Sequence, residues 1–274
     1  MCFNLFGPLV HDLALATQLF RAVPELEVER VLAVKLEFAP LPAEEYLADG
    51  TSFDAYVEYA HRDGSRAFVG IETKLTDGFS RKVCDTPAYR RWMQGPRAPW
   101  RPEAASRVAN VDHNQLWRDH LLAMAMRDHS TKRYEHGALM LVRHPQDNSG
   151  AAIARGYRQL LGQGDTSFID APMDQLVGRW RAALGSDERG AWLSSFSQRY
   201  LALADSQRGS GVTPGGYEAL RALDFIGIGV AGIAPARPLP GVTVAPERAV
   251  GKESAASQAS LLRRSKAPAQ TLNS

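Results

Sequence analysis

The sequence predicts a mixed α/β domain over residues 1–205, followed by a tail of different character. Three observations carry that expectation. Runs with apolar residues three and four apart alternate with short runs rich in β-branched residues, the pattern of helices layered on a sheet. Residues 67–71 are apolar on both faces, as a central strand must be. After Asp205 the composition turns to Gly and Ser, and residues 231–274 contain no aromatic side chain.

Residues 3–23 read as one helix, with Leu9, Leu13, Ala16, Leu19, Phe20 and Val23 along one face and Pro24 as its stop. Residues 31–38 read as a strand ended by Pro40 and Pro42. Residues 53–60 alternate apolar and polar positions as a second strand. Asp63-Gly64 then signals a hairpin into a third strand at 67–71. Residues 81–107 hold Pro87, Pro96, Pro99 and Pro102 with little periodicity and read as irregular. Helix returns at 108–126, a fourth strand at 137–143 and a short helix at 151–161. Residues 168–170 read as an edge strand, with closing helices at 173–184 and 192–205. The order is αβββ-αβα-(β)αα.

Charge excludes little. Thirty-two basic residues against 30 acidic ones leave a net +2, too small to demand a polyanionic partner. Only six of the basic residues are lysines. The arginine excess suits phosphate contacts, and it equally suits a GC-rich genome. Two cysteines rule out a disulfide framework and fit a reducing compartment. No apolar run approaches the roughly 18 residues of a membrane span, and the N-terminus lacks the basic start of a secretory signal. A cytoplasmic protein is expected, with no membrane partner. In residues 231–274, Arg237, Arg248, Lys252, Arg263, Arg264 and Lys266 outnumber Glu247 and Glu253. Residues 206–274 are too poor in apolar surface to offset their ordering entropy, so they read as a disordered basic tail, with a weak contact arm as the alternative.

The chemistry concentrates on the hairpin. Asp54 opens its first strand; Glu72 and Lys74, two apart on one strand face, close its second. Glu72-Thr73-Lys74 is the one acid-x-Lys triplet in the chain. Two carboxylates at neighbouring strand ends suit a hard divalent cation, and a lysine beside them suits water activation or charge neutralisation in phosphodiester hydrolysis. Taken alone, the triplet also fits a surface ion pair at a strand end. The geometry sets a condition. A two-residue Asp63-Gly64 loop would face Asp54 with Thr73 and throw Asp54 and Glu72 onto opposite faces. A shared cation therefore requires an odd-length loop or a β-bulge.

Residues 81–107 carry Arg81, Lys82, Arg90, Arg91, Arg97, Arg101 and Arg107, with Tyr89, Trp92 and Trp100 between them. Cations interleaved with aromatics suit phosphate contact and base stacking, and equally a solvated loop anchored by its tryptophans. Asn114, Gln115 and Arg118 form a polar cluster on the following helix, fit either for substrate contact or for plain surface. No His or Cys pair has metal-ligand spacing, so His113 and His120 read as structural and Cys84 as a free thiol. Gly162-Gln163-Gly164 lacks the following Lys of a phosphate loop. Residues 227–232 match a dinucleotide fingerprint by letter without its strand–helix setting.

The segment Ser52-Phe53-Asp54, a hairpin, and then Val69-Gly70-Ile71-Glu72-Thr73-Lys74 resembles the active-site core of the PD-(D/E)XK nuclease superfamily. The αβββαβ order around it matches, and Phe3-Asn4-Leu5-Phe6-Gly7-Pro8-Leu9 and Asp49-Gly50-Thr51 resemble a prokaryotic branch of it. The resemblance covers residues 3–205; Phe53 stands where the name-giving proline would be. It implies a restriction-endonuclease-like fold with extra C-terminal helices and a nuclease dependent on Mg²⁺, or Mn²⁺, acting on DNA ahead of RNA. It further implies metal ligation by Asp54 and Glu72, catalysis by Lys74 and support from Gln115. Arg81, Lys82, Arg90, Arg91, Arg97, Arg101 and Arg118 are the candidate nucleic-acid contacts. The family's acid on the first helix could only be Asp12, which equally suits a solvent-facing helix start. An inert nucleic-acid-binding module of the same fold is the alternative, and a small-molecule hydrolase or interaction protein a further one.

Overall fold

The computed structural model describes residues 1–75, 78–131 and 133–202. Five strands form one sheet in chain order: β1 (Val28–Phe38), β2 (Phe53–His61), β3 (Arg66–Lys74), β4 (His136–Arg143) and β5 (Phe168–Pro172). The first three make an antiparallel meander; β4 and β5 join parallel to β3. This puts β3 in the middle, where its two-faced apolar run belongs.

Among the described residues, seven α-helices cover both faces: α1 (Cys2–Phe6), α2 (Leu13–Arg21), α3 (Pro87–Met93), α4 (Asn114–Arg127), α5 (Asn148–Arg158), α6 (Met173–Leu184) and α7 (Ala191–Tyr200). On one face, Ala55, Val57, Val69, Ile71, Met140 and Val142 pack with α1, α2, α6 and α7. On the other, Tyr56, Phe68, Leu139 and Leu141 pack with α3, α4 and α5. The fold is a restriction-endonuclease-like α/β sandwich of three layers. α4 is buried almost all round, because β3 and β4 lie on one side and α3 packs on another. No helix among the described residues is long and apolar enough to cross a membrane.

The hairpin loop has an odd length. Paired residues run from Ala55 opposite Ile71 to Ala60 opposite Arg66. The His61 N–H bonds Ser65 O at 2.9 Å, so the loop is three residues, Arg62-Asp63-Gly64. Gly64 closes it with φ +86°, a conformation that favours glycine. The Asp-Gly turn signal holds, and the loop has the odd length expected above. The ladder's last pair is Ala55 opposite Ile71, and beyond it the Asp54 carboxylate bonds Thr73, the neighbour of Glu72.

Several elements differ from expectation. Residues 3–23 are not one helix. Pro8 sits in a 3-10 turn, and the Asp12 carboxylate caps α2 by accepting from Leu15 N–H at 2.8 Å. Within 81–107, Thr86 caps α3 and Pro87 occupies its first turn, where a missing N–H costs nothing. Helix α4 starts at Asn114 rather than Val108. The 192–205 helix ends at Tyr200; the tail and residues 227–232 lie outside the described residues.

Candidate active site

The carboxyl ends of the parallel pair β3 and β4 lie at one edge of the sheet, where open α/β folds place their ligands. Glu72 and Lys74 sit in the last turn of β3's pleat and are both buried. Lys74 Nζ lies 3.0 Å from Glu72 Oε1. Its other face meets the Phe79 ring, 5.3 Å from the centroid. Helix α4 brings Gln115 to the same oxygen: Gln115 Nε2 donates to Glu72 Oε1 at 2.6 Å, while its Oε1 accepts from Ser80 N–H at 2.7 Å. The neighbouring Asn114 clamps the backbone of Cys84 at both ends, each bond 2.8 Å. The start of α4 thus fixes both the glutamine and the segment that passes over it.

Asp54 stands on β2 at the edge of this group. Its Oδ2 accepts from Thr73 N–H at 2.8 Å and from Thr73 Oγ1. Its Oδ1 makes no hydrogen bond among the described residues. The strand turns here: Glu37, beside it on β1, has φ +49°. The Phe53 ring packs over Gly70, where a Cβ would meet it at 2.4 Å. Phe53 and Tyr56 therefore share the α4-side core although they lie three positions apart, an offset that regular alternation would send to opposite faces. This irregularity directs the Asp54 carboxylate along the strand end toward Thr73. The donor set fits a hard cation: carboxylate oxygens at a half-buried strand end, with one oxygen of Asp54 uncommitted.

Two further residues belong to this neighbourhood and escaped the sequence reading. Asp119 lies one turn beyond Gln115 on α4, is 3% exposed, and leaves Oδ2 without a hydrogen-bond partner. Burial, then the charge of Glu72, pushes its carboxyl well above the usual range, against the pull of Arg118 and Lys74. Flanked by Arg118 and His120, it carries no mark in the sequence, because a helix buried almost all round has no apolar stripe to set it against. Arg143, opposite Lys74 in the register, is held by Asp170 through two bonds of 2.8 and 3.0 Å.

The candidate nucleic-acid contacts divide. Arg81 and Lys82 are exposed on the segment beside Ser80, and Arg118 reaches Cys84 Sγ at 3.9 Å. Arg91 is exposed over Trp92. Arg90 is bound to Asp85 and to Ala105 O. Arg97 binds Asp128 and Glu135, beyond the C-terminal end of α4 and away from Gln115. Arg101 binds Leu161 O. The interleaved aromatics face inward: Tyr89 and Trp100 are buried, and Trp92 donates to Tyr46 O at 2.9 Å. They are anchors rather than stacking platforms. Asp12, as the cap of α2 with Arg189 3.4 Å away, serves the helix start.

A three-stranded meander, a parallel fourth strand and a helix that together gather two carboxylates, a lysine and a glutamine define a nuclease-like fold. The chain belongs to the PD-(D/E)XK nuclease superfamily, whose family model matches residues 1–202. No curated protein and no solved structure matches it.

Proposed function

We propose that the protein is a metal-dependent nuclease that hydrolyses phosphodiester bonds of nucleic acid, with DNA the first substrate to test. One observation carries the reading: Glu72 Oε1 is shared by Lys74 Nζ and Gln115 Nε2, on the strand whose intervening Thr73 binds the Asp54 carboxylate. Asp54 and Glu72 would hold Mg²⁺, for which Mn²⁺ could substitute. When bound, the ion supplies charge neutralisation and a more acidic water. Lys74, fixed by Glu72 and screened by Phe79, orients the attacking water or balances charge on the phosphate. Gln115 keeps Glu72 in place. Arg81, Lys82, Arg91 and Arg118 meet the backbone of the substrate as it crosses this edge.

The test is cleavage of single- and double-stranded DNA and RNA with Mg²⁺ or Mn²⁺, set against Glu72→Gln. Metal-dependent cleavage that is lost in the variant supports the reading. Equal activity of both proteins would refute the site. Binding at low salt with no cleavage under any condition would favour an inert binding module.

A further inference from the structure

The opposite end of the sheet holds a second group of ligand-type side chains. The hairpin loop brings His61 beside Asp63, and β4 opens next to it with His136. His136 Nε2 lies 2.8 Å from Asp63 Oδ2, and His61 Nδ1 lies 3.0 Å from Asp63 Oδ1. One ligand atom from each residue lies within 4.8 Å of the others. We infer that His61, Asp63 and His136 bind a borderline divalent transition ion, zinc foremost, which bolts the hairpin loop to the start of β4.

The donor set selects the ion. Two imidazole nitrogens and one carboxylate suit zinc and its neighbours, whereas magnesium prefers oxygen alone. The Asp54 and Glu72 end offers oxygen donors, so the two ends call for different metals. The surroundings resemble a prepared site. The Asp63 N–H points at His61 Nδ1 at 3.3 Å, so that nitrogen presents a lone pair. A lone pair facing the carboxylate at 3.0 Å needs a cation or a proton between them. The other nitrogen of His61, Nε2, lies 3.9 Å from Glu27 Oε2, close enough for the carboxylate to accept its N–H once the ring turns. Glu27 is itself fixed by Arg62 N–H, which bonds its carbonyl at 3.0 Å. Ser65 donates to Asp63 Oδ1 from both N–H and Oγ, at 2.8 and 2.6 Å. Those bonds, with the contact from His136, hold the Asp63 carboxyl well below its ordinary range. Both histidines line a cleft of about 310 Å³, which leaves room for water as a fourth ligand. Binding demands a small rearrangement. Tetrahedral bonds of about 2.1 Å separate ligand atoms by roughly 3.3 Å. The rings, now stacked at 4.0 Å, must also turn toward a common ion.

The experiment uses the full chain, stripped with a chelator and titrated with zinc in excess Mg²⁺, then repeated in the Glu72→Gln variant. Cobalt absorption serves as a second reporter. One zinc should bind in both proteins, raising Tm by about 5 °C at a hundred times Kd. His136→Gln and Asp63→Asn should each weaken binding about 100-fold, and Glu27→Gln about 10-fold. His129→Gln, whose ring pairs with Glu45 elsewhere, should change nothing. No saturable binding, or binding indifferent to both His136→Gln and Asp63→Asn, would overturn the inference. Because binding persists in Glu72→Gln, failure here is separate from failure of the nuclease reading.

Discussion

Lys74 and Gln115 meet at a single carboxylate oxygen, and that meeting is the residue-scale core of the account. Gln115 donates to Glu72 without being a proposed metal ligand. Gln115→Ala should therefore reduce cleavage by about 10–100-fold, the usual effect of losing a bond that orients a ligand. Folding should be nearly unchanged; steady-state rates with a thermal melt check both. His120 supplies a different residue-scale test. It is completely buried among Trp100, Tyr157 and Phe168. Trp100 Nε1 donates to Tyr157 Oη at 3.0 Å and Ser167 Oγ to Asp165 at 2.7 Å. Tyr157 O–H is then left to donate to His120 Nδ1, and His120 Nε2–H to Ser167 Oγ. The imidazole is thus a donor toward Ser167, which excludes a serine nucleophile there. Burial holds its pKa down to about 3, against about 6.5 in the unfolded chain. The stability it contributes is complete above pH 6.5 and is lost as pH falls toward 3. In an Asp119→Asn background, which removes the opposing titration of that buried carboxyl, the unfolding free energy should drop across that window with a slope approaching about 1.4 kcal/mol per pH unit. A flat profile between pH 6.5 and 4 would contradict this assignment.

At the scale of elements, the hairpin decides whether the site can exist. The Asp54, Glu72 and Lys74 positions were legible because a strand-borne acid and an acid-x-Lys triplet flank a strong turn signal. Loop parity was legible only as a requirement, since Asp-Gly allows two-residue and three-residue loops alike. What the sequence hid was the twist at Phe53. Its ring occupies the space over Gly70, and the alternation breaks there. Gly70→Ala would drive a Cβ into that ring. It should cost about 1–3 kcal/mol by overpacking and should lower cleavage as well, because Asp54 follows Phe53 directly. Denaturant melts and rates on the same preparation separate the two effects. Helix α3 was missed because four prolines masked a Thr-Pro start, and Asp119 because a helix packed on several sides has no polar face to betray it. His61, Asp63 and His136 were invisible for a third reason: β4 pairs with β3 across more than 60 intervening residues.

For the whole molecule, the layered α/β class was legible in the αβββαβ order. The layer assignment was not, because it depends on which crossover covers which face. The small net charge predicts that nucleic-acid affinity rests on a few local cations rather than on a global field. Arg81 and Lys82 are exposed beside the candidate site, so replacing both with Gln should reduce the salt slope of DNA binding by roughly 2 units. Replacing Arg97, which is committed to Asp128 and Glu135, should cost stability and leave the slope intact. Binding isotherms over a salt series distinguish the two.

The most direct test of the central claim is single-turnover cleavage of DNA in Mg²⁺ by the wild-type chain and by Lys74→Ala, with binding measured on the same substrate. The wild type should cleave only with the metal, and the variant should lose about 100-fold or more of that rate, with DNA affinity within a few-fold. A variant that cleaves as fast as the wild type would contradict the claim.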